Sequence, residues 1–202
     1  MWNRWVLPHL LHCSCGLKPF RMQREKIVPE ARGTVLEVGF GSGLNLPHYR
    51  TDAVDKIYAL EPAEPVAALA EEAIGRASMP VELLLAGAED IPLPSNCIDS
   101  VVCTYTLCTI PDLERSLAEI RRVLRPEGRF WFSEHGLAPD ESVAHWQRRL
   151  DGLWSRIAGG CHLSRDAPEN LRTAGWRIGS LDQMYLPGSK IVMYHSWGWA
   201  SA

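Results

Sequence analysis

The chain has 202 residues, which is enough for one ordinary domain with a small extension. Its apolar fraction of 46% and charged fraction of 22% are close to globular averages, which excludes a disordered, collagen-like or coiled-coil protein. The formal net charge is −3, so no basic excess indicates a nucleic-acid partner.

The N-terminal segment is apolar but short. Pro8 and His9 interrupt it, and no small-residue cleavage site follows. No stretch approaches the ~20 apolar residues of a membrane span. We expect a cytoplasmic protein in which residues 1–30 form a helical cap and residues 31–202 form the main domain. Contact of the N-terminus with a membrane surface is an alternative that we do not favour.

Short apolar and β-branched runs recur along the chain and predict strands. These runs are 34–38, 56–60, 81–86, 100–104, 129–133, 176–178 and 191–195. Runs of this kind are typical of strands buried on both faces of a parallel sheet.

Helical stretches separate the predicted strands. They are 64–75, 112–124, 140–158 and a shorter one that begins at Asp166, with Glu169 three residues on. Asp112 is the expected N-cap of the second helix, and Pro126 and Gly128 are expected to end it. The alternation of strands and helices predicts an α/β fold with a doubly wound sheet.

A glycine-rich loop, Glu37-Val38-Gly39-Phe40-Gly41-Ser42-Gly43, follows the first predicted strand. Alternate glycines permit a tight turn and the close approach of a ligand. The spacing departs from the dinucleotide fingerprint, because Leu44 stands where the third glycine is required, and no P-loop lysine follows. A turn that serves only strand–helix packing is the alternative.

Two later loops carry candidate nucleoside contacts. Glu61 ends the second strand, where a carboxylate can accept hydrogen bonds from ribose hydroxyls; an exposed loop carboxylate is the alternative. Ala88 and Glu89 follow the third strand, where a backbone amide and a carboxylate can meet an adenine edge. Asp90 fits an ordinary surface turn better.

Five segments in order, 35–45, 59–64, 86–94, 98–112 and 120–132, resemble the motifs of class I S-adenosylmethionine-dependent methyltransferases. The resemblance covers about residues 30–200. It implies a single-domain, Rossmann-like, seven-stranded sheet of order 3-2-1-4-5-7-6 with the last strand antiparallel, and S-adenosylmethionine as the cofactor.

The same resemblance assigns cofactor contacts. It implies that the three loop glycines approach the methionine part and that Glu61 holds the ribose. The family often has Asp-Ala where Gly87-Ala88 stands here, so Glu89 is expected to make the polar contact to adenine. The predicted cofactor-binding residues are Glu37, Gly39, Gly41, Gly43, Asn45, Glu61, Pro62, Ala88, Glu89 and Thr104.

A narrower resemblance lies in the segments 103–112, 133–139 and 158–166. They look like the branch that includes the mammalian alkyl-thiol S-methyltransferases and their bacterial relatives. Those mammalian enzymes carry an N-terminal membrane anchor, which this chain is expected to lack or to have in reduced form. The branch implies a small-molecule acceptor, with a thiol as one option, methylated by in-line displacement without a protein nucleophile.

The acceptor is expected at the ends of the fourth and fifth strands. His135 is the predicted general base, because its unperturbed pKa lies near neutrality, and Glu134 is expected to orient it. Tyr105, Cys108 and His162 are the predicted acceptor contacts. A histidine that only bonds the backbone, a buried structural Cys108 and a simple helix start at 161–166 are the alternatives.

The six cysteines do not predict a metal site. Cys13 and Cys15 lack the spacing of a metal-binding pair, and no second pair follows, so reduced structural thiols are expected. Two other functions compete with methylation of a small molecule. One is methylation of a lipid or quinone at a membrane surface, with residues 1–20 docking, and the other is a non-catalytic nucleoside-binding module. The sequence determines neither the acceptor nor the oligomeric state.

Overall fold

The first predicted strand lies at the centre of a seven-stranded sheet. In the computed structural model, which describes residues 6–202, the strands are β1 (Gly33–Val38), β2 (Val54–Leu60), β3 (Val81–Leu84), β4 (Ile98–Thr104), β5 (Leu124–His135), β6 (Arg177–Tyr185) and β7 (Tyr194–Ser201). Their order is β3-β2-β1-β4-β5-β7-β6. Strands β1 to β5 are parallel, and β7 runs antiparallel to both β5 and β6. The predicted fold class and strand order are confirmed.

Among residues 6–202, two α-helices precede the first strand in the chain, and the others lie between the strands. They are α1 (Leu7–Cys15), α2 (Lys18–Ile27), α3 (Glu64–Ala67), α4 (Glu71–Gly75), α5 (Leu113–Val123), α6 (Glu141–Ile157) and α7 (Ala167–Thr173). The Asp112 carboxylate accepts a hydrogen bond from the Arg115 amide at 3.1 Å and caps α5. The Asp166 carboxylate does the same for the Glu169 amide at 3.1 Å and caps α7. Both caps were predicted, because short acidic side chains satisfy the free amides of a first helical turn.

Several element boundaries differ from the prediction, among them those of β5 and β6, which are longer than the predicted runs 129–133 and 176–178. The helix expected at 64–75 is interrupted by a 3₁₀ turn at Ala68–Ala70. Pro126 and Gly128 do not follow α5 as terminators but lie inside β5, which begins directly after the helix. The last strand starts at Tyr194 rather than at residue 191, because the amides of Val192 and Met193 close a turn on the Ser189 carbonyl.

Apolar side chains fill both faces of the sheet. Leu36, Ile120 and Phe130 belong to one buried cluster, while Val35 and Ile57 belong to the cluster on the opposite face. Each of these five side chains is completely buried. Because both faces are covered, the carboxyl ends of the parallel strands are the place left for a ligand.

The N-terminal helices lie ahead of β1. Helix α2 contacts β5 and β7, and Ile27 and Val28 at its end are buried in the core. Residues 1–5 of the predicted cap lie outside the described residues. Within residues 6–202, no helix has both the length and the apolar character needed to cross a bilayer.

Candidate active site

A cavity of about 760 Å³ opens at one edge of the sheet. The last residues of four parallel strands, Val38, Leu60, Thr104 and His135, line it. Its size falls within the ~300–1,000 Å³ of small-molecule sites, and its position beside β1 and β4 is the switch point of the strand order. The predicted site residues that line it are Glu37, Gly39, Gly41, Asn45, Glu61, Pro62, Ala88, Glu89, Thr104, Tyr105, Cys108 and His135. The others, Gly43, Glu134 and His162, lie outside its lining.

The three loop glycines all adopt left-handed backbone angles, with φ of +70° at Gly39, +61° at Gly41 and +78° at Gly43. A Cβ on Gly39 would lie 2.1 Å from the Thr106 hydroxyl, and one on Gly43 would lie 3.2 Å from the Cβ of Ala73. At Gly41 the nearest atom would be 3.9 Å away, the Gly39 carbonyl oxygen. Gly41 is therefore the position where the missing side chain leaves room for a ligand.

Glu61 is held beside this loop by its two carboxylate oxygens. Oε2 accepts a hydrogen bond from the Gly41 amide at 3.0 Å, and Oε1 accepts one from the Ala63 amide at 3.0 Å. Burial raises the pKa of this carboxyl, and the two amide bonds oppose that rise. Each oxygen keeps a further lone pair, so the carboxylate can accept hydrogen bonds from a ribose.

A buried polar network extends from β1 into the loop after it. Glu37 accepts hydrogen bonds from Asn45 Nδ2 at 2.9 Å and from the Tyr49 hydroxyl at 2.7 Å. Asn45 Nδ2 also donates to the Thr104 hydroxyl at 3.1 Å. Burial raises the pKa of Glu37 to about 7, against the effect of the Tyr49 and Asn45 bonds. The network ties the end of β1 to the end of β4 at the floor of the cavity.

The loop after β3 forms the wall next to Glu61. Ala88 is buried and Glu89 is half-buried. The Glu89 carboxylate folds back over Gly87 and accepts a hydrogen bond from the Asp112 amide at 3.4 Å. The cavity is thus bounded by the glycine loop, by Glu61 and by the loop after β3. Together these features fit a nucleoside with a charged, flexible tail.

Glu134 is completely buried and does not reach the cavity. Its Oε1 accepts hydrogen bonds from the amides of Thr106 at 2.8 Å and Leu107 at 3.1 Å. Burial raises its pKa to about 7, although those two bonds act in the opposite direction. The hydrogen bonds of Glu134 thus shape the loop after β4, and within the described residues none of them orients His135 as the sequence suggested.

His135 faces the cavity through a contact that the sequence did not predict. Its Nε2 lies 3.1 Å from the sulfur of Cys161, while its Nδ1 is buried and has no hydrogen-bond partner among residues 6–202. Burial lowers the pKa of His135, but the hydrogen bond to Cys161 and the negative charges of Cys161 and Glu134 outweigh it, so the net shift is upward. General-base work by Nε2 would require its release from Cys161, whereas Nδ1 is buried.

Cys161 contacts the side chains of Cys108, His135 and Trp154. Hydrogen bonds from Cys108, His135 and Trp154 lower its pKa, although burial acts against them. The Trp154 indole N–H donates to its sulfur at 3.4 Å. The sulfurs of Cys108 and Cys161 and a ring nitrogen of His135 all lie within 4.8 Å of one another. We call Cys108, His135, Trp154 and Cys161 the acceptor end of the cavity.

Cys161 is not among the residues that the sequence predicts for the site. The usable signal was the glycine pair before it. Gly159 and Gly160 adopt φ of +64° and +88°, which turns the chain sharply after α6 and returns Cys161 to the cavity. His162, selected instead, points elsewhere: its Nδ1 lies 2.7 Å from the Asp151 carboxylate.

The N-terminal helices form part of the cavity wall, to which Leu11, His12, Phe20 and Arg24 contribute. Phe20 on α2 packs edge-on against Tyr105 at 5.1 Å between ring centroids, and the Arg24 guanidinium lies 5.0 Å from the centre of the same ring. Tyr105 itself adopts a φ of +57°. His12 on α1 lies 2.6 Å from the hydroxyl of Ser42 in the glycine loop. Residues of the predicted cap therefore form part of the cavity wall.

Residues 36–132 match the family described as the methyltransferase domain. The chain is 30% identical to thiol S-methyltransferase TMT1A of Homo sapiens over 177 residues, which cover 85% of this chain and 72% of that protein. It is 32% identical to thiol S-methyltransferase TMT1B of Rattus norvegicus over 145 residues, 70% of this chain and 59% of that protein. The structure of a SAM-dependent methyltransferase from Aquifex aeolicus superposes with a TM-score of 0.62 at 20% identity, covering 96% of this chain and 97% of that chain. At that identity the structural likeness concerns the fold alone.

Proposed function

The chain belongs to the family of S-adenosylmethionine-dependent methyltransferases, and we propose that its acceptor is the thiol of a small, largely apolar molecule. The observation that carries the proposal is the composition of the cavity around its acceptor end. Leu11, Phe20 and Leu163 line the same cavity as the Cys161 sulfur and the His135 ring. Apolar walls that lead to soft polar atoms suit a thiol, which is weakly hydrated and polarisable.

The residues around the glycine loop fit S-adenosylmethionine, which when bound supplies an activated methyl group on a sulfonium sulfur. Glu61 holds the ribose hydroxyls, and Ala88 and Glu89 meet the adenine. The open space at Gly41 admits the backbone of the methionine part. The network of Glu37 with Asn45 and Thr104 holds the methionine end near the floor of the cavity. Pro62 completes the wall.

The remaining residues place the acceptor. We propose that His135 and Cys161 contact the sulfur of the acceptor. Tyr105 and Cys108 form the walls of the cavity on either side of the acceptor. Glu134 is a positioning residue, because it holds the amides of the loop that carries Tyr105 and Cys108. In-line displacement needs alignment of the acceptor and exclusion of water, and the residues of α1 and α2 that line the cavity would contribute to both.

A matched panel of acceptors tests the proposal. Benzenethiol, phenol and aniline share one ring and differ in the nucleophilic atom, so turnover of each with S-adenosylmethionine isolates the choice of atom. We expect methylation of benzenethiol and at least tenfold lower rates for the other two. Glu61→Ala at low cofactor concentration serves as the protein control for spontaneous methylation. Faster methylation of phenol or aniline would refute the assignment to thiols.

A second acceptor class, a lipid or quinone at a membrane surface, has one observation in its favour. Large apolar side chains are exposed on α1 and after it, with Leu10 50% and Leu17 56% exposed, and on α6, with Leu153 62% exposed. The start of α1 packs near the end of α6, since a Cβ on Gly159 would lie 3.0 Å from Leu7. Co-sedimentation with liposomes tests this function: binding that Leu17→Ser with Leu153→Ser abolishes would support it, and no sedimentation would exclude it.

We further propose that the protein works in the cytoplasm. All six cysteines are free thiols, and the sulfurs of Cys108 and Cys161 remain unbonded although they lie within 4.8 Å. Thiols so placed persist in a reducing compartment. Alkylation of all six cysteines in acid-quenched cell extracts, measured by mass spectrometry, is the expected result. A Cys108–Cys161 disulfide in those extracts would contradict it.

A further inference from the structure

We propose that Cys108, His135 and Cys161 bind one thiophilic divalent metal ion, zinc in the first place. The ion would have two thiolates and one imidazole as protein ligands and an open fourth position. The second half of the inference, which rests on the proposed function, is that the sulfur of the acceptor thiol takes the fourth position.

The distances between the three ligand atoms suit a tetrahedral site. The atoms lie within 4.8 Å of one another, and His135 Nε2 is 3.1 Å from the Cys161 sulfur. Zinc bonds of ~2.3 Å to sulfur and ~2.0–2.1 Å to nitrogen place neighbouring ligand atoms roughly 3.6–3.8 Å apart. Insertion of the ion thus requires shifts of a few tenths of an ångström to about one ångström, which side-chain rotation can supply.

The three ligands lie on three separate segments, and a backbone hydrogen bond connects two of these segments. Cys108 lies in the loop after β4, His135 ends β5, and Cys161 follows the glycine bend after α6. The amide of His162 donates to the Cys108 carbonyl at 3.0 Å, which fixes the loop of Cys161 against the loop of Cys108. A ligand set held by packed elements keeps its shape without the metal, so little ordering opposes binding.

Charge and hydrogen bonding also favour a divalent ion. Two thiolates and a neutral imidazole around a 2+ ion sum to zero net charge, which costs less in a partly buried site than an uncompensated ion. The Trp154 N–H, which donates to the Cys161 sulfur at 3.4 Å, is the kind of outer partner that orients a metal-bound thiolate. All three ligands line the cavity, so the fourth position faces the space for the acceptor.

This arrangement solves a chemical problem of the proposed reaction. A free thiol has a pKa of ~8.5 and is mostly protonated at neutral pH. Of the two ring nitrogens of His135, Nε2 is engaged with Cys161, and Nδ1 is buried without a hydrogen-bond partner among the described residues. A thiol that coordinates the ion loses its proton to solvent. Its sulfur then attacks the methyl carbon, the carbon–sulfonium bond breaks with its electron pair on the cofactor's sulfur, and the neutral thioether product leaves as a weak ligand.

Metal binding is tested on the full chain, stripped with a chelator and kept reduced with a non-thiol reductant. The protein is titrated with Zn²⁺ against a chromophoric chelator, and with Co²⁺ to record its spectrum. We expect one ion per chain and the absorption of tetrahedral Co²⁺ with thiolate-to-metal charge transfer. Cys108→Ser and Cys161→Ser should each weaken binding roughly 100-fold or more, because loss of even an outer partner costs ~10–100-fold.

Cys97→Ser is the matched control, since Cys97 lies outside the cavity and donates to the Pro94 carbonyl at 3.0 Å. It should bind the ion as the wild type does. Absence of a bound ion in the wild type, or equal affinity in Cys161→Ser and wild type, would overturn the site. Benzenethiol added to the Co²⁺ protein should increase the charge-transfer absorption; an unchanged spectrum would overturn the role of the fourth position.

Methyl transfer to benzenethiol, measured with chelator and with restored Zn²⁺, separates this inference from the proposed function. Turnover that depends on the metal supports both. Turnover in a protein that binds no metal overturns the inference alone. Metal binding without turnover of any thiol in either state overturns the thiol acceptor and leaves the metal site standing.

Discussion

Substitution of Glu61 gives the sharpest test of the cofactor site. The carboxylate is 8% exposed and is fixed by amide bonds of 3.0 Å to each oxygen, so it meets a ribose without reorganisation. A hydrogen bond to a charged group contributes about 1.5–3 kcal/mol. Loss of one such bond in Glu61→Ala should therefore weaken cofactor binding roughly 10- to 150-fold, and loss of a second should weaken it further.

Glu61→Gln keeps the size of the side chain but removes its charge and one of its two hydrogen-bond acceptors. It therefore distinguishes an effect of charge and hydrogen bonding on affinity from an effect of volume. The amide group keeps one acceptor oxygen but turns its NH₂ toward one of the two backbone N–H donors, of Gly41 or of Ala63. Two donors cannot satisfy each other, so the side chain should rotate away. We expect at least a tenfold loss of affinity here as well, although the volume is unchanged.

Isothermal titration with S-adenosylhomocysteine measures both variants, and thermal unfolding without ligand confirms that they fold. Glu64→Gln is the control, because Glu64 is an exposed acid in the first turn of α3, close to Glu61. Its affinity should match the wild type. An affinity within twofold of wild type in folded Glu61→Ala would refute the reasoning. An equal loss in Glu64→Gln would show a general effect of charge.

Three further changes test other parts of the structure. Gly41→Val should abolish measurable cofactor binding in titration calorimetry, because the new side chain enters the open space at the glycine loop. It should cost only about 1–2 kcal/mol of unfolding free energy, the strain of a φ of +61°. Near-wild-type binding would contradict this prediction. Glu37, with a folded pKa of about 7 against an ordinary 4.5, binds more protons folded than unfolded, so its contribution to stability falls as pH rises from 4.5 to 7. Urea unfolding of Glu37→Gln without ligand should show its stability rising relative to wild type by roughly 3 kcal/mol across that window, and a constant difference would refute the shift. Arg165→Ala should cost about 1–3 kcal/mol in urea unfolding, since Arg165 donates to the carbonyls of Leu107 at 2.6 Å and Ile110 at 2.7 Å; an unchanged midpoint would contradict it.

Local patterns in the sequence determined the fold and one side of the site. Alternation of buried strands with amphipathic helices indicated the α/β sheet, and short acidic residues marked the starts of α5 and α7. The glycine loop after β1 and Glu61 after β2 were found because each lies next to the end of a strand. In a parallel sheet those ends share one edge, so sequence position alone predicts that the two meet.

Only the tertiary structure decided the other side of the site. The contact of His135 with Cys161 depends on a sharp bend at two glycines and on the packing of α6; the glycine pair marks the bend, but no local pattern shows which residue Cys161 meets. Likewise Glu134 and His135 are adjacent in sequence, yet alternate side chains of a strand point to opposite faces, so one is buried and the other lines the cavity. The limits of β7, Tyr194 and Ser201, coincide with the ends of its pairing with β6 rather than with its apolar run. Contacts between segments far apart in sequence carry no short-range signal, and the contacts that join Cys108, His135 and Cys161 at the acceptor end are of this kind.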